Sequence, residues 1–108
     1  MRAFEITEMI QAGIDHIEKW LQQNGYTLMG IEAWQAGSAD IKADGAVENI
    51  FIQVQPVSYP DAKKPLNATD RFAIKDMAER LKRIAYIAYM VIDDNKNIVG
   101  EIIWERVY

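Results

Sequence analysis

The apolar positions along the chain follow two different periods, which together predict two helices and five strands. Apolar residues recur every three or four positions over residues 6–21, which indicates an amphipathic helix, and the following Asn24-Gly25 pair is typical of a helix end. A second helix is predicted from the capping residue Asn67 to about residue 85. Short apolar or alternating runs predict strands over residues 26–34, 39–43, 50–55, 86–92 and 98–104.

Turn-forming residues separate these strands. Asp44-Gly45 predicts a hairpin between the second and third strands, and Pro56 predicts the end of the third. The polar residues 93–97 predict a turn that lets the last two strands pair. The order α-β-β-β-α-β-β over 108 residues therefore predicts a single α/β (α+β) domain, residues 1–108, with a mixed β-sheet flanked by helices.

The alternation within two neighbouring strands predicts where polar side chains lie. Asp40 and Lys42 share one face of the second strand. In the third strand, Gln53 and Gln55 share a face with Phe51. Because neighbouring strands place paired residues on the same side, the sequence predicts an Asp–Gln–Gln cluster on an otherwise apolar sheet.

Composition excludes several classes of protein. The chain has no cysteine, which excludes disulfides and thiolate metal sites and fits a cytoplasmic location. It has neither the apolar stretch of a signal peptide at its start nor a run of about 20 apolar residues that could cross a membrane. The net charge of −4 argues against tight binding to nucleic acid.

The second predicted helix has an apolar side and a basic side. The apolar residues expected to face the core are Phe72, Ile74, Met77, Ala78, Leu81 and Ile84. Residues 61–83 hold seven basic and four acidic residues, which makes this segment net positive by three charges. The candidates for binding nucleic acid are Lys63, Lys64, Arg71, Lys75 and Lys82. An ordinary solvated helix face is the alternative interpretation.

Several short motifs occur at a spacing shared with a known family. They are Gly13, Trp20-Leu21, Gly25-Tyr26, Gly37-Ser38-Ala39-Asp40 and Phe51-Ile52-Gln53-Val54-Gln55. Together with the order α-β-β-β-α-β, these motifs resemble the PD-(D/E)XK nucleases, whose fold is called restriction endonuclease-like. The likeness is closest to the small YraN-type endonuclease-like family and covers roughly residues 10–92.

The resemblance implies a metal-dependent nuclease, but the residues that would carry the chemistry are changed. In the family, an aspartate on the second strand and a Glu-X-Lys pair on the third hold Mg²⁺ and assist the attacking water. Here Asp40 remains, whereas the Glu-X-Lys pair reads Gln53 and Gln55. Asp40, Gln53 and Gln55 are therefore candidates for a vestigial site, with Asp40 as a candidate metal ligand. No cofactor is expected, except Mg²⁺ if the chain is active.

Three functions follow from this degenerate motif. The leading one is a non-catalytic nuclease-like domain that binds nucleic acid or a protein partner. The first alternative is an active Mg²⁺-dependent nuclease whose catalytic residues have migrated around Asp40. The residues considered for that migration are Glu32, Asp44, Glu48, Lys42, Lys75 and Lys82. The second alternative is an interaction or assembly subunit that uses the fold only as a scaffold. Because Gln53 and Gln55 replace the Glu-X-Lys pair, we expect that the protein is not an enzyme.

Two further features suggest contacts with partners. The apolar residues 102–108 predict an exposed strand edge, from which we hypothesise a homodimer. Aromatic residues that could stack on bases are Trp34, Trp104, Tyr86, Tyr89 and Tyr108, although packing within the core is the commoner role.

Overall fold

The computed structural model of the protein describes residues 3–34, 38–61 and 65–108. Its elements in chain order are α1 (Ala3–Gln23), β1 (Thr27–Trp34), β2 (Ser38–Asp44), β3 (Asn49–Ser58), α2 (Ala68–Leu81), β4 (Ile84–Ile92) and β5 (Ile103–Arg106). Within the described ranges, neither helix has the length and apolar character needed to cross a membrane.

The five strands form one sheet in the order β1-β2-β3-β4-β5. β3 and β4 are parallel, and every other neighbouring pair is antiparallel. Parallel strands need a crossover connection, and α2 lies between β3 and β4 in the chain. The predicted α+β class, the mixed sheet and the order α-β-β-β-α-β-β are thereby confirmed.

The two helices cover opposite faces of the sheet. Ile10, Ile14, Ile17 and Leu21 form the buried side of α1, as their spacing predicts, and they pack on the inner residues of β2, β3 and β4. Gly13 allows a close approach, because a Cβ at this position would lie 3.3 Å from Val54 Cγ1.

The second helix covers only part of the other face. Ile74 and Ala78 of α2 pack with Phe51, Ile87 and Tyr89, which belong to β3 and β4. The face of β1 and β2 on this side carries polar residues and is not part of that cluster. Within residues 3–34, 38–61 and 65–108, therefore, α2 covers one half of this face and no helix covers the other half, which we call the open half.

Two residues of α2 that the sequence assigns to the core are exposed in the structure. The side chain of Phe72 is 71 % exposed and that of Met77 is 44 % exposed, so the expectation that both face the core was wrong. Ile74 and Ala78, by contrast, are buried. A helix turns by about 100° per residue, which places Phe72 on the side opposite to Ile74.

The second helix also ends earlier than predicted. Its last residue is Leu81, and the C-cap Lys82 has left-handed backbone angles, φ 56° and ψ 47°. The N–H of Lys82 donates to the Glu79 carbonyl, which closes the last turn. The apolar residues that continue the pattern, Ile84 and Ala85, belong to β4 instead.

Pro56 does not end β3, contrary to the prediction. The strand runs to Ser58, and Pro56 pairs with Met90 in the parallel ladder. The described pairs between β3 and β2 end at Val54 and Ala39, so β2 needs no N–H donor from position 56. Proline is tolerated where a strand has lost its neighbour on one side.

The last strand is shorter than predicted. A strand is predicted over residues 98–104, whereas β5 spans only Ile103–Arg106 and therefore also begins later than predicted. Ile98 forms only an isolated bridge with Ile92. The predicted turn is present, because the Asp93 carboxylate accepts from the N–H groups of Asn95 and Asn97. β5 pairs with β4 as expected and lies at one edge of the sheet. A homodimer formed through this edge stays a prediction.

Candidate functional site

The open half of the sheet and α2 enclose a groove of about 400 Å³, which we call the central groove. Its lining residues are Ser38, Asp40, Phe51, Gln53, Gln55, Leu66, Asp70, Ala73, Ile74 and Met77. This volume lies within the range of roughly 300–1,000 Å³ that is usual for ligand sites.

The floor of the central groove is the polar cluster predicted from the sequence. Asp40 on β2 lies directly opposite Gln53 on β3, and Gln55 lies two residues farther along the same face. All three side chains are half-buried, and the Oδ1 atom of Asp40 is shielded from solvent. The predicted juxtaposition of these three residues is confirmed.

A second carboxylate, Asp70, enters the central groove from the first turn of α2. The turn is fixed by Asn67, whose Oδ1 accepts from the Asp70 N–H at 2.8 Å. The sequence predicts this cap but not the position of the Asp70 side chain. Only the packing of α2 on the sheet brings Asp70 into the groove with Asp40.

A third carboxylate lies beside the groove on the edge strand. Glu32 of β1 is the partner of Asp40 across the β1–β2 pair, so the two residues share one face of the sheet. Lys42 is on the same face, two residues from Asp40, and its Cε would be 3.5 Å from a Cβ at Gly30. Asp40, Asp70 and Glu32 give this half of the sheet an acidic surface that Lys42 partly offsets.

The basic candidates that the structure describes, Arg71, Lys75 and Lys82, do not converge on the central groove. Lys63 and Lys64 lie outside the described residues. Arg71 is half-buried and forms an ion pair with Glu105, and its Nε donates to the Leu66 carbonyl. The Tyr89 hydroxyl also donates to Glu105. Arg71 therefore ties α2 to β5.

Lys75 and Lys82 are exposed on α2 and at its C-terminus. Neither is among the described residues that line the groove.

Asp44 and Glu48, the other carboxylates considered for a relocated catalytic site, form contacts away from the central groove. Asp44 forms an ion pair with Arg83, with the Nη1 and Oδ1 atoms 2.7 Å apart. Glu48 accepts hydrogen bonds from Tyr26 and Tyr86 on the opposite face of the sheet. Neither carboxylate lines the central groove.

The donor set does not fit the catalytic magnesium ion that the nuclease resemblance implies. In the nuclease motif the carboxylate that pairs with the aspartate lies on the third strand, where β3 supplies the neutral amides Gln53 and Gln55. The carboxylate that does pair with Asp40, Glu32, lies on the other neighbouring strand, β1. In the described part of the chain, no three His, Cys, Asp or Glu side chains are close enough to hold a metal ion.

A second cavity, of about 190 Å³, lies on the face of the sheet that α1 covers. We call it the aromatic cavity; its lining residues are Trp20, Tyr26, Glu48, Ile50, Tyr86 and Trp104. Burial raises the pKa of Tyr26 and of Tyr86 above the ordinary value, and the nearby Glu48 carboxylate adds to both increases. Both hydroxyls therefore stay protonated and keep donating to Glu48 at neutral pH.

These pKa increases predict a loss of stability at alkaline pH. A neutral tyrosine with a raised folded-state pKa contributes stability that is complete below the unfolded value of about 10. That contribution disappears as the pH rises through the folded-state pKa. In a tyrosinate absorbance titration, we expect a late-ionising fraction that Tyr26→Phe and Tyr86→Phe each reduce. Tyr59→Phe, at an exposed position, is the control. Ionisation of Tyr26 and Tyr86 at their unfolded-state pKa would contradict the prediction.

A family model described as a domain of unknown function (DUF8840) matches residues 7–107. No curated protein matches the chain.

Proposed function

The chain belongs to the DUF8840 family, a domain of unknown function. From the geometry of the central groove, we propose that the chain is a non-catalytic binding domain. In this proposal the fold is of the restriction endonuclease-like type, and the central groove holds a segment of a protein partner. The segment presents basic or amide side chains. The absence of cysteine is compatible with the cytoplasmic location that we include in the proposal.

The observation that carries the proposal is the convergence of polar side chains from three elements. Asp40 from β2, Gln53 and Gln55 from β3, and Asp70 from α2 all line one groove. Carboxylates accept hydrogen bonds, and amides both donate and accept them. Leu66 and Met77 add apolar surface to the walls. A pocket in which polar groups converge beside apolar walls is typical of a binding site.

The same groove argues against hydrolysis of a phosphodiester. Gln55 occupies the position of the lysine in the nuclease motif, and its neutral amide cannot stabilise developing negative charge as an ammonium group does. No lysine or arginine is among the described residues that line the groove. A ligand bound there would be held by hydrogen bonds without activation of a phosphate.

Charge favours a protein partner over nucleic acid. Asp40 and Asp70 line the groove, and Glu32 lies beside Asp40 on the edge strand. A phosphate backbone entering the groove would meet these carboxylates, whereas a lysine or arginine side chain would form charge-assisted hydrogen bonds with them. Arg71, which could have offset them, is paired with Glu105.

Replacing Asp40 by asparagine tests the proposal. The probes are a short peptide of arginine and asparagine residues, a peptide of glutamate residues and a DNA duplex of matched length. Amide chemical shifts should respond to the basic peptide at residues that line the groove, and Asp40→Asn should weaken that binding about tenfold or more. Asp94→Asn, at an exposed turn position, should leave the binding unchanged. Groove shifts with DNA alone would show that the proposed partner is wrong.

A metal-dependent nuclease is the second candidate, because Asp40 and Asp70 line the same groove. The test is a cleavage assay with single-stranded, duplex and branched DNA and RNA in the presence of Mg²⁺ or Mn²⁺. The non-catalytic proposal expects no cleavage by the folded chain. Cleavage that disappears in Asp40→Ala would overturn it in favour of a rebuilt active site.

A further inference from the structure

The aromatic cavity is built from distant parts of the chain. Trp20 comes from α1, Tyr26 from the turn after it, Tyr86 from β4 and Trp104 from β5. Glu48, from the hairpin loop between β2 and β3, is the charged group in the lining. The cavity lies on the opposite face of the sheet from the central groove, so it is independent of the function proposed above.

The rings form a continuous aromatic wall. The centroids of Trp20 and Trp104 are 4.6 Å apart with the planes tilted by 43°, and Tyr26 stacks on Trp20 at 5.9 Å. Tyr86 meets Trp104 edge to face at 6.2 Å. Indole and phenol rings carry negative charge on their faces and attract a cation within about 6 Å of the centroid.

Glu48 adds a full negative charge to this wall. Its Oε1 accepts from the hydroxyls of Tyr26 at 3.1 Å and Tyr86 at 3.4 Å, which hold the carboxylate in place. Among the described residues, Glu48 forms no ion pair. Arg106, the partner of Tyr86 across the β4–β5 pair, is exposed and its Nε donates to the Tyr108 carbonyl. Its positive charge lowers the pKa of Tyr86, but burial and Glu48 raise that pKa by more.

The geometry is held in place before any ligand arrives. A Cβ at Gly45 would lie 2.6 Å from Tyr26 Cε1 and 2.9 Å from the Glu48 carbonyl, so the hairpin packs tightly against the Tyr26 ring. The Gly45 N–H donates to the same Glu48 carbonyl at 2.9 Å. A preorganised wall loses little conformational freedom on binding.

From this geometry we propose that the aromatic cavity binds the quaternary or methylated ammonium group of a small molecule. The aromatic rings that line the cavity and the Glu48 carboxylate favour a cation. The methyl groups favour such a cation over a primary ammonium, which is compact and strongly hydrated. At about 190 Å³ the cavity holds the volume of roughly six water molecules, which suits a head group of this size.

The test compares choline and tetramethylammonium with the neutral tert-butyl analogue of choline, which has the same shape without the charge. Binding is followed by tryptophan fluorescence and by the proton chemical shifts of the ligand methyl groups, which aromatic rings displace. We expect saturable binding of both cations, and binding of the neutral analogue at least about tenfold weaker, equivalent to about 1.4 kcal/mol.

Two variants locate the site. Glu48→Gln keeps the shape of the side chain but removes its charge, and it should weaken cation binding about tenfold while leaving the neutral analogue unaffected. Glu79→Gln, on the exposed side of α2, should change neither.

Equal binding of choline and its neutral analogue, or no saturable change with either cation, would overturn the proposal. This comparison uses the native chain, so it decides the question even if a variant fails to fold. Binding of phosphatidylcholine vesicles without binding of free choline would also overturn the small-molecule assignment.

Discussion

Replacing Arg83 by methionine is expected to lower the free energy of unfolding by about 2–3 kcal/mol. The Arg83 side chain is 14 % exposed, and its Nη1 donates to the Ala43 carbonyl at 3.1 Å, to Asp44 Oδ1 at 2.7 Å and to the Ile50 carbonyl at 3.3 Å. These contacts join the start of β4 to the β2–β3 hairpin. Methionine preserves much of the apolar packing but leaves these acceptors without their charged donor.

The control for Arg83 is Arg80→Met. Arg80 pairs with Asp76 one turn away on α2, and its side chain is 74 % exposed, so its loss should cost only about 0.3–0.5 kcal/mol. Urea unfolding of both variants measures the difference, with an unchanged dependence on denaturant concentration as the sign of a two-state comparison. A similar small cost for both arginines would show that the hairpin does not depend on Arg83.

Replacing Ile74 by alanine is expected to cost about 3 kcal/mol, which is within the range for deletion of a buried aliphatic side chain. Ile74 is 4 % exposed and packs with Phe51 and Ile87 beneath α2. Because this contact holds α2 on the sheet, the variant should also open the wall of the central groove. Thermal and urea unfolding would both detect the loss.

Phe72→Ala is the matched control on the same helix. Phe72 is larger than Ile74 but 71 % exposed, so its replacement should change stability by no more than about 0.5 kcal/mol. The reverse order of the two effects would show that Phe72, and not Ile74, packs on the sheet.

The order of the strands along the chain and the face on which each side chain lies could be predicted, because both follow from local sequence patterns. Alternation within five to seven residues placed Asp40 and Gln53 on the face they share, and Asp44-Gly45 marked the hairpin that brings their strands together. Both signals depend only on residues next to each other in the chain. The polar floor of the central groove was therefore accessible from the sequence.

The orientation of α2 was not accessible in the same way. The apolar residues of α2 from Phe72 onward are distributed around much of its circumference. The sequence pattern alone therefore does not show which side of the helix packs on the sheet. The sheet selects Ile74 and Ala78, and Phe72 lies about 200° from Ile74. The entry of Asp70 into the central groove depends on the same packing.

The ends of elements depended on neighbours distant in the chain. Pro56 stays within β3 because the described part of β2 no longer pairs at that point. The aromatic cavity depends most strongly on residues that are distant in the chain. Trp20 and Trp104 are 84 positions apart, yet their ring centroids lie 4.6 Å from each other. No local pattern connects them.

The assembly of both sites from distant segments couples ligand binding to folding of the whole chain. An unfolded chain brings neither Trp20 to Trp104 nor Asp40 to Asp70, so a true ligand stabilises only the folded state. At a hundred times its dissociation constant, such a ligand adds about 2.7 kcal/mol. For a domain of this size, that gain corresponds to a rise in melting temperature of roughly 10–20 °C. Thermal melting can therefore screen compounds for both sites before either ligand is known.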